Sequence, residues 1–167
     1  LPEKGGAEAY LADLAGRLLA RGHEVALVSR VFAPGPVPGR PLRVGGPGAP
    51  RFLADLSFAR RAERAARGAR LEVTLGVRHT PFVDVLQMHG GVYRDALRAH
   101  LESAGSGRSL RRALRALSPK TRMLLHLESL EAREAPRQLH AAVSPLAARE
   151  IRARFHVPEE RVRLIPP

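Results

Sequence analysis

Three stretches of this chain hold residues whose types and spacing could do chemistry. Gly5-Gly6 stands just ahead of a helical pattern. There, free backbone N–H groups and the positive end of a helix dipole can hold a phosphate, and missing side chains let a ligand come close. A tight turn into the helix accounts for the same two glycines. The second stretch is Asp84-Val85-Leu86-Gln87-Met88-His89-Gly90-Gly91. Its strand-like run ends near Met88, and in open α/β sheets ligands gather outside the carboxyl ends of strands. His89 is then placed to donate, accept or hydrogen-bond at a substrate, with Gly90 and Gly91 leaving space and Tyr93 and Arg94 opening the next helix. A purely structural hydrogen bond explains a lone histidine at a strand end equally well. The third is a basic helix. Leu110, Leu114 and Leu117 share one face, Arg108, Arg111, Arg112 and Arg115 cover the rest, and Lys120 and Arg122 follow, with no acid from Ser103 through Leu127. Such a surface can lie on anionic lipid headgroups, each cation adding about 1 kcal/mol. An ordinary solvated face in an Arg-rich protein is the plainer reading.

Other chemistries lose their support. Without Cys there is no thiolate metal site, disulfide or cysteine nucleophile, which fits a reducing compartment. Neither G-x-G-x-x-G nor G-x-x-x-x-G-K-[ST] occurs, nor H-E-x-x-H, nor the G-x-S-x-G of a nucleophile elbow. The 7 histidines form no ligand set, so no metal is expected.

The elements that must position these residues follow from periodicity. Leu11, Leu14, Leu18 and Leu19 mark a helix starting near Ala7 and stopped by Arg21-Gly22. Glu24–Ser29 reads as a buried strand. Residues 30 to 50 are a proline-rich loop with at most a brief strand at Leu42–Val44. Arg51–Gly68 is a second helix, and Leu71–Leu75 and Val83–Met88 are expected strands. Helices are expected at Tyr93–Glu102, Leu110–Leu117 and Thr121–Glu134, the last opened by Ser118-Pro119, a cap followed by a first-turn proline. Leu139–Val143 is a strand. Ser144-Pro145 repeats the device and starts a helix to Phe155, and Val162–Ile165 closes as a strand. Alternating strands and helices imply an α/β fold, a Rossmann-like doubly wound parallel sheet with helices on both faces. The opening helix has no strand before it, although the first strand normally sits mid-sheet, so a fragment of a longer chain is expected.

Composition bounds the rest. With 167 residues there is room for one domain. The formal charge of +12 rests almost wholly on arginine, Lys4 and Lys120 being the two lysines. That skew points to genomic codon bias more than to a polyanion-binding surface. With 5 Phe and 2 Tyr there are too few aromatics to stack bases, and no nucleic acid partner is expected. The longest apolar runs, such as Val25–Val28, fall far short of the ~20 residues of a spanning helix.

Lys4-Gly5-Gly6-Ala7-Glu8, Leu19-Ala20-Arg21-Gly22-His23-Glu24-Val25 and the terminal Val157-Pro158-Glu159-Glu160-Arg161-Val162-Arg163-Leu164-Ile165-Pro166-Pro167 resemble, in order and spacing, the amino-terminal half of a retaining glycosyltransferase of family four. The middle, from Asp84-Val85 to Val143-Ser144, is most similar to lipopolysaccharide core glucosyltransferases. The resemblance covers essentially the whole chain. It implies a GT-B architecture in which residues 1–167 are the acceptor-side Rossmann-like domain, with the first strand and the carboxy-terminal donor domain missing. It implies sugar transfer from a nucleotide-diphosphate donor to a glycan or lipid-linked acceptor with retention, with no cofactor beyond the donor and no metal. Gly5 and Gly6 would face the donor diphosphate, and His89, Gly90, Gly91 and Arg94 would contact substrate. Arg108, Arg111, Arg112 and Arg115 would face the acceptor or the membrane. The protein would be cytoplasmic, peripheral on the inner face of the membrane, and this fragment alone inactive. The competing class is a non-enzymatic Arg-rich module binding anionic membrane or nucleic acid.

Overall fold

The structure, a computed structural model, describes residues 6–45, 53–77, 79–88, 92–102 and 118–165. Its elements in chain order are α1 (Gly6–Ala20), β1 (Ala26–Ser29), β2 (Arg40–Arg43), α2 (Ala54–Gly68), β3 (Leu75–Val77), β4 (Val85–Met88), α3 (Tyr93–Glu102), α4 (Pro119–Glu134), β5 (Leu139–Ala142), α5 (Pro145–Phe155) and β6 (Val162–Leu164). Every strand pairing among them is parallel, as the alternation of strands and helices implies. The described strands form two sheets, β1-β2 and β3-β4-β5-β6. The expected helix at Leu110–Leu117 lies outside the described residues. The chain divides into two compact units, Leu1–Gly48 with Arg60–Leu71, and Ala49–Ala59 with Glu72–Pro167.

In the first unit, α1 stops where Arg21-Gly22 predicts. The Gly22 N–H donates to Leu19 O at 2.9 Å and the His23 N–H to Leu18 O at 3.1 Å, which satisfies carbonyls the helix end would otherwise leave bare. β2 begins at Arg40, earlier than the expected Leu42–Val44. The cause is Gly39, at φ 81°, which turns the chain so that the Arg40 N–H reaches Val25 O at 2.8 Å. A Cβ at Gly39 would collide with that same Val25 carbonyl, so this turn needs glycine. The later part of α2 carries Glu63 between two cations, Arg67 at 2.7 Å and Arg60 at 3.8 Å, the i,i+4 and i,i+3 spacing of helix-surface pairs.

The second unit is built on the four-stranded sheet. In register, Gly76, Leu86, His140 and Val162 form one row across it. Side chains alternate faces along a strand, so Met88 and Ala142 join Leu86 on one face. They pack into a core with Val92, Ala135, Ala147, Ala148, Ile151, Phe155 and Val157. Removing an Ile or Phe side chain of this kind from water contributes about 1.5–3 kcal/mol. A second cluster joins Leu124 and Leu127 of α4 to Ala59, with Leu56, Tyr93 and Leu130 against it. Both predicted caps form. Ser118 accepts from the Thr121 N–H at 3.2 Å and Ser144 from the Ala147 N–H at 3.1 Å, each followed by a proline that has no N–H to leave unpaired.

The strand expected at Leu71–Leu75 is instead Leu75–Val77. Leu75 pairs with Val85, the first residue of β4, so the ladder begins there, with Thr74 O accepting from the Val85 N–H at 2.9 Å just ahead of it. The few residues up to Asp84, of which 79–84 are described, then carry the chain back to a parallel neighbour, a return that normally takes a dozen or more residues and a helix. Side chains hold it closed. The Asp84 carboxylate accepts from the Thr74 N–H at 2.8 Å and from Thr74 Oγ1 at 2.6 Å, while Gln138 Nε2 donates to Pro81 O at 2.6 Å and to Val83 O at 2.8 Å. The return also lies close against β3. A Cβ on Gly76 would overlap Thr80 Oγ1 and come within 3.1 Å of Val83 Cγ1, so β3 can pass under its own crossover only with glycine there.

Candidate functional site

The crossover with residues 79–84 follows the carboxyl end of β3, the side of a parallel sheet where ligands gather. It carries His79. The imidazole Nδ1 stands 3.8 Å from Oε1 of Glu131 on α4, an ion-pair distance that is long for a direct hydrogen bond. Glu131 is 1% exposed, and its carboxylate also accepts from the Thr80 backbone N–H. Tyr93, the first residue of α3, meets the imidazole edge-on with ring centroids 6.2 Å apart.

One turn earlier on α4, Glu128 is equally enclosed, at 4% exposed. Its carboxylate accepts from the Arg94 backbone N–H at 3.1 Å and lies 4.0 Å from the Arg94 Nε. A carboxylate at the first turn of α3 answers the free N–H groups and positive dipole of that helix end. Glu150 of α5 adds a second acceptor there, taking the Val92 N–H at 3.4 Å. Farther along, Arg154 clamps Asp95 with its Nε at 2.8 Å and its NH2 group on the other carboxylate oxygen, tying α5 to α3.

The electrostatics follow from burial and partner. The Glu131 carboxylate, as acceptor for the ring N–H and then as a charge, raises the His79 pKa above 6.5, and Asp55 and Glu128 add to it against the opposing effect of burial. Burial pushes the Glu131 carboxyl up as well, while His79 and the Thr80 N–H pull it down. At 3.8 Å we read the contact as charge attraction more than as a formed hydrogen bond.

Of the residues anticipated from sequence, Gly6 is the first residue of α1, exposed and with open space where a Cβ would stand. Arg94 is the second residue of α3, its side chain 66% exposed. Gly5, His89, Gly90, Gly91, Arg108, Arg111, Arg112 and Arg115 lie outside the described residues. His79, Glu128 and Glu131 were not anticipated. The two acids carried a signal: Leu124, Leu127, Glu128 and Glu131 fall at i, i+3, i+4 and i+7, which puts two carboxylates on the buried stripe of α4. His79 carried none, since only the crossover brings it to α4. Among the described residues no group of three or more His, Cys, Asp or Glu could hold a metal ion. No helix among them is long and apolar enough to cross a membrane.

Parallel sheets joined through helices define a Rossmann-like α/β domain. The fold is similar to the crystal structure of WaaG, a glycosyltransferase involved in lipopolysaccharide biosynthesis, with a TM-score of 0.78 and 15% sequence identity over 100% of this chain and 42% of that one. This chain thus spans less than half the length of that structure. The chain belongs to Glycosyltransferase Family 4, whose family model matches residues 4–167. No curated protein matches it.

Proposed function

We propose that residues 1–167 are the acceptor-side domain of a retaining GT-B glycosyltransferase that moves a sugar from a nucleotide-diphosphate donor to a hydroxyl of a glycan or lipid-linked acceptor. The family match across residues 4–167 carries this reading. Gly5 and Gly6 face the donor diphosphate, where the N-terminus of α1 offers unpaired N–H groups to an anion. His89, Gly90, Gly91 and Arg94 contact the transferred sugar and the acceptor. Rate enhancement rests on orientation and on stabilising the leaving diphosphate, with no metal or other cofactor required. The reading assigns the donor-holding half to a separate carboxy-terminal domain, so residues 1–167 by themselves are expected to give no turnover. WaaG acts in lipopolysaccharide biosynthesis, and a lipid-linked acceptor here would put the protein on the cytoplasmic face of a membrane, with Arg108, Arg111, Arg112 and Arg115 toward anionic headgroups.

The test incubates the full-length protein with isotope-labelled UDP- and GDP-sugars and candidate glycan and lipid-linked acceptors. An α-linked product from an α-configured donor is expected. Donors that all remain intact remove the glycosyltransferase reading, and a β-linked product removes retention.

A further inference from the structure

We propose that His79 binds a phosphate group at the carboxyl end of the four-stranded sheet, with Glu131 as the positioning residue behind it and the Arg94–Glu128 pair as a second anchored cation one helical turn away. The proposal rests on the reading of the strand ends as the substrate side. It adds a residue and a ligand chemistry to that side.

Position is the first argument. His79 sits on the crossover that leaves β3, and that crossover is held at Thr80 by Glu131 and at Pro81 and Val83 by Gln138. A group whose following residues are fixed in this way needs less reordering to meet a ligand, which is how sites gain affinity without new contacts. Orientation is the second. Nδ1 faces the enclosed Glu131, the imidazole side chain is 29% exposed, and among the described residues nothing hydrogen-bonds Nε2. One ring nitrogen thus faces a buried carboxylate while part of the ring reaches the surface.

Charge is the third. Glu131 from α4 and Tyr93 from α3 meet the imidazole, and the charges of Asp55 from α2 and Glu128 from α4 act on it from farther off. All three carboxyl groups favour the imidazolium. Arg94, the neighbouring cation, is itself directed to Glu128. Burying Glu131 is costly unless a partner compensates it. A histidine present only to neutralise Glu131 would meet that cost and do nothing more. A charged imidazole at the strand ends, part of its ring reaching the surface, suits an anionic oxygen. The phosphate has two sources in this chemistry, the diphosphate of a nucleotide donor and a phosphate on an acceptor sugar.

The experiment follows the imidazole directly. In the full-length protein labelled with 15N-histidine, the His79 ring signals are identified by their loss in His79→Gln. Wild type is titrated near pH 7 with UDP, inorganic phosphate and glucose 6-phosphate. A saturable shift of the His79 ring nitrogens is expected, and His79→Gln should weaken the responding compound roughly tenfold. A response to UDP identifies the donor diphosphate, and one to glucose 6-phosphate an acceptor phosphate. Glu131→Gln removes the main group holding the ring protonated, so it should show a similar loss near pH 7 and recover below about pH 6. Ring signals unmoved by all three compounds overturn the proposal. So does an unchanged affinity in His79→Gln, which keeps the test decisive should Glu131→Gln not fold. Sugar transfer is assayed separately, so donors that stay intact would remove the glycosyltransferase reading without touching the phosphate titration, and the two failures are told apart.

Discussion

Gln138 holds the crossover with one amide nitrogen, donating to two backbone carbonyls, Pro81 O and Val83 O, from a position 3% exposed. Those carbonyls belong to a segment outside the strand ladders. Gln138→Ala strands both in a dry environment and should destabilise the fold by about 1–3 kcal/mol, read from the urea midpoint. Leaving Glu131 in place, it should also loosen the His79 loop. His140 poses a different problem. It is fully enclosed in the sheet, with Nε2 at 3.3 Å from Ala135 O and Nδ1 without a partner among the described residues. Burial lowers its pKa below 6.5. Its folded pKa is therefore below the unfolded one, so its contribution is intact above pH 6.5 and is lost as pH falls further, because the unfolded chain takes up a proton that the fold refuses. His79 has the opposite sign, its contribution being full below 6.5 and lost as pH rises through the raised value. The stability difference between wild type and His140→Leu isolates His140. That difference should move against wild type on going from about pH 7.5 to pH 5.5, and a constant difference would show that His140 does not titrate between the two states.

Among the elements, the β3–crossover–β4 unit is where packing leaves least choice. Ala at position 76 would drive its methyl group into Thr80, whose backbone N–H serves Glu131. Gly76→Ala should therefore cost about 1–3 kcal/mol through overpacking and disturb His79 together with stability, seen as a moved His79 ring signal and a lowered melting temperature. A variant with wild-type melting and an unmoved ring signal would contradict the close approach. The same unit shows where sequence reading stops. Ser118-Pro119, Ser144-Pro145 and Arg21-Gly22 were legible because caps are local chemistry, settled within four or five residues. β3 lies later than its propensities suggest, because Leu71 and Val73 have better strand propensity than Gly76, and what decides the strand is where β4 begins. Arg94 and Gly6 stand at helix starts, as their neighbours predicted. His79 was illegible, because its partner Glu131 lies on a helix far along the chain, and Glu128 and Glu131 look like ordinary helix acids until the apolar stripe is traced through them.

For the molecule as a whole, protection from solvent should be uneven. The strands β4 and β5 carry the most enclosed backbone, with Leu86, Ala141, Ala142 and His140 at 0–2% exposure, whereas β1 and β2 hold no fully buried residue. Local opening should follow that gradient. Amides of Leu86 and of His140 to Ala142 should exchange most slowly with deuterium, and those of β1 and β2 measurably faster. Equal rates in the two sheets would contradict it. The parallel α/β class was readable from the alternation of element types, since that pattern belongs to the chain as a whole. How the strands partition into sheets was not, because pairing depends on contacts distant in sequence.

The short return between β3 and β4 also bears on how the chain assembles. Parallel ladders are usually late and slow, because an entire helical segment must be threaded before the second strand arrives. Thr74 and Asp84, by contrast, are 10 residues apart when their hydrogen bonds close. The Val85–Leu139 pairing that follows encloses a loop several times longer. Chain-closure entropy grows with the logarithm of loop length, which makes the first closure less unfavourable by about 1.5 kcal/mol. The β3–β4 pair can therefore form early as a local template on which β5 and then β6 add, and the order of the strands in space becomes the order of their assembly in time.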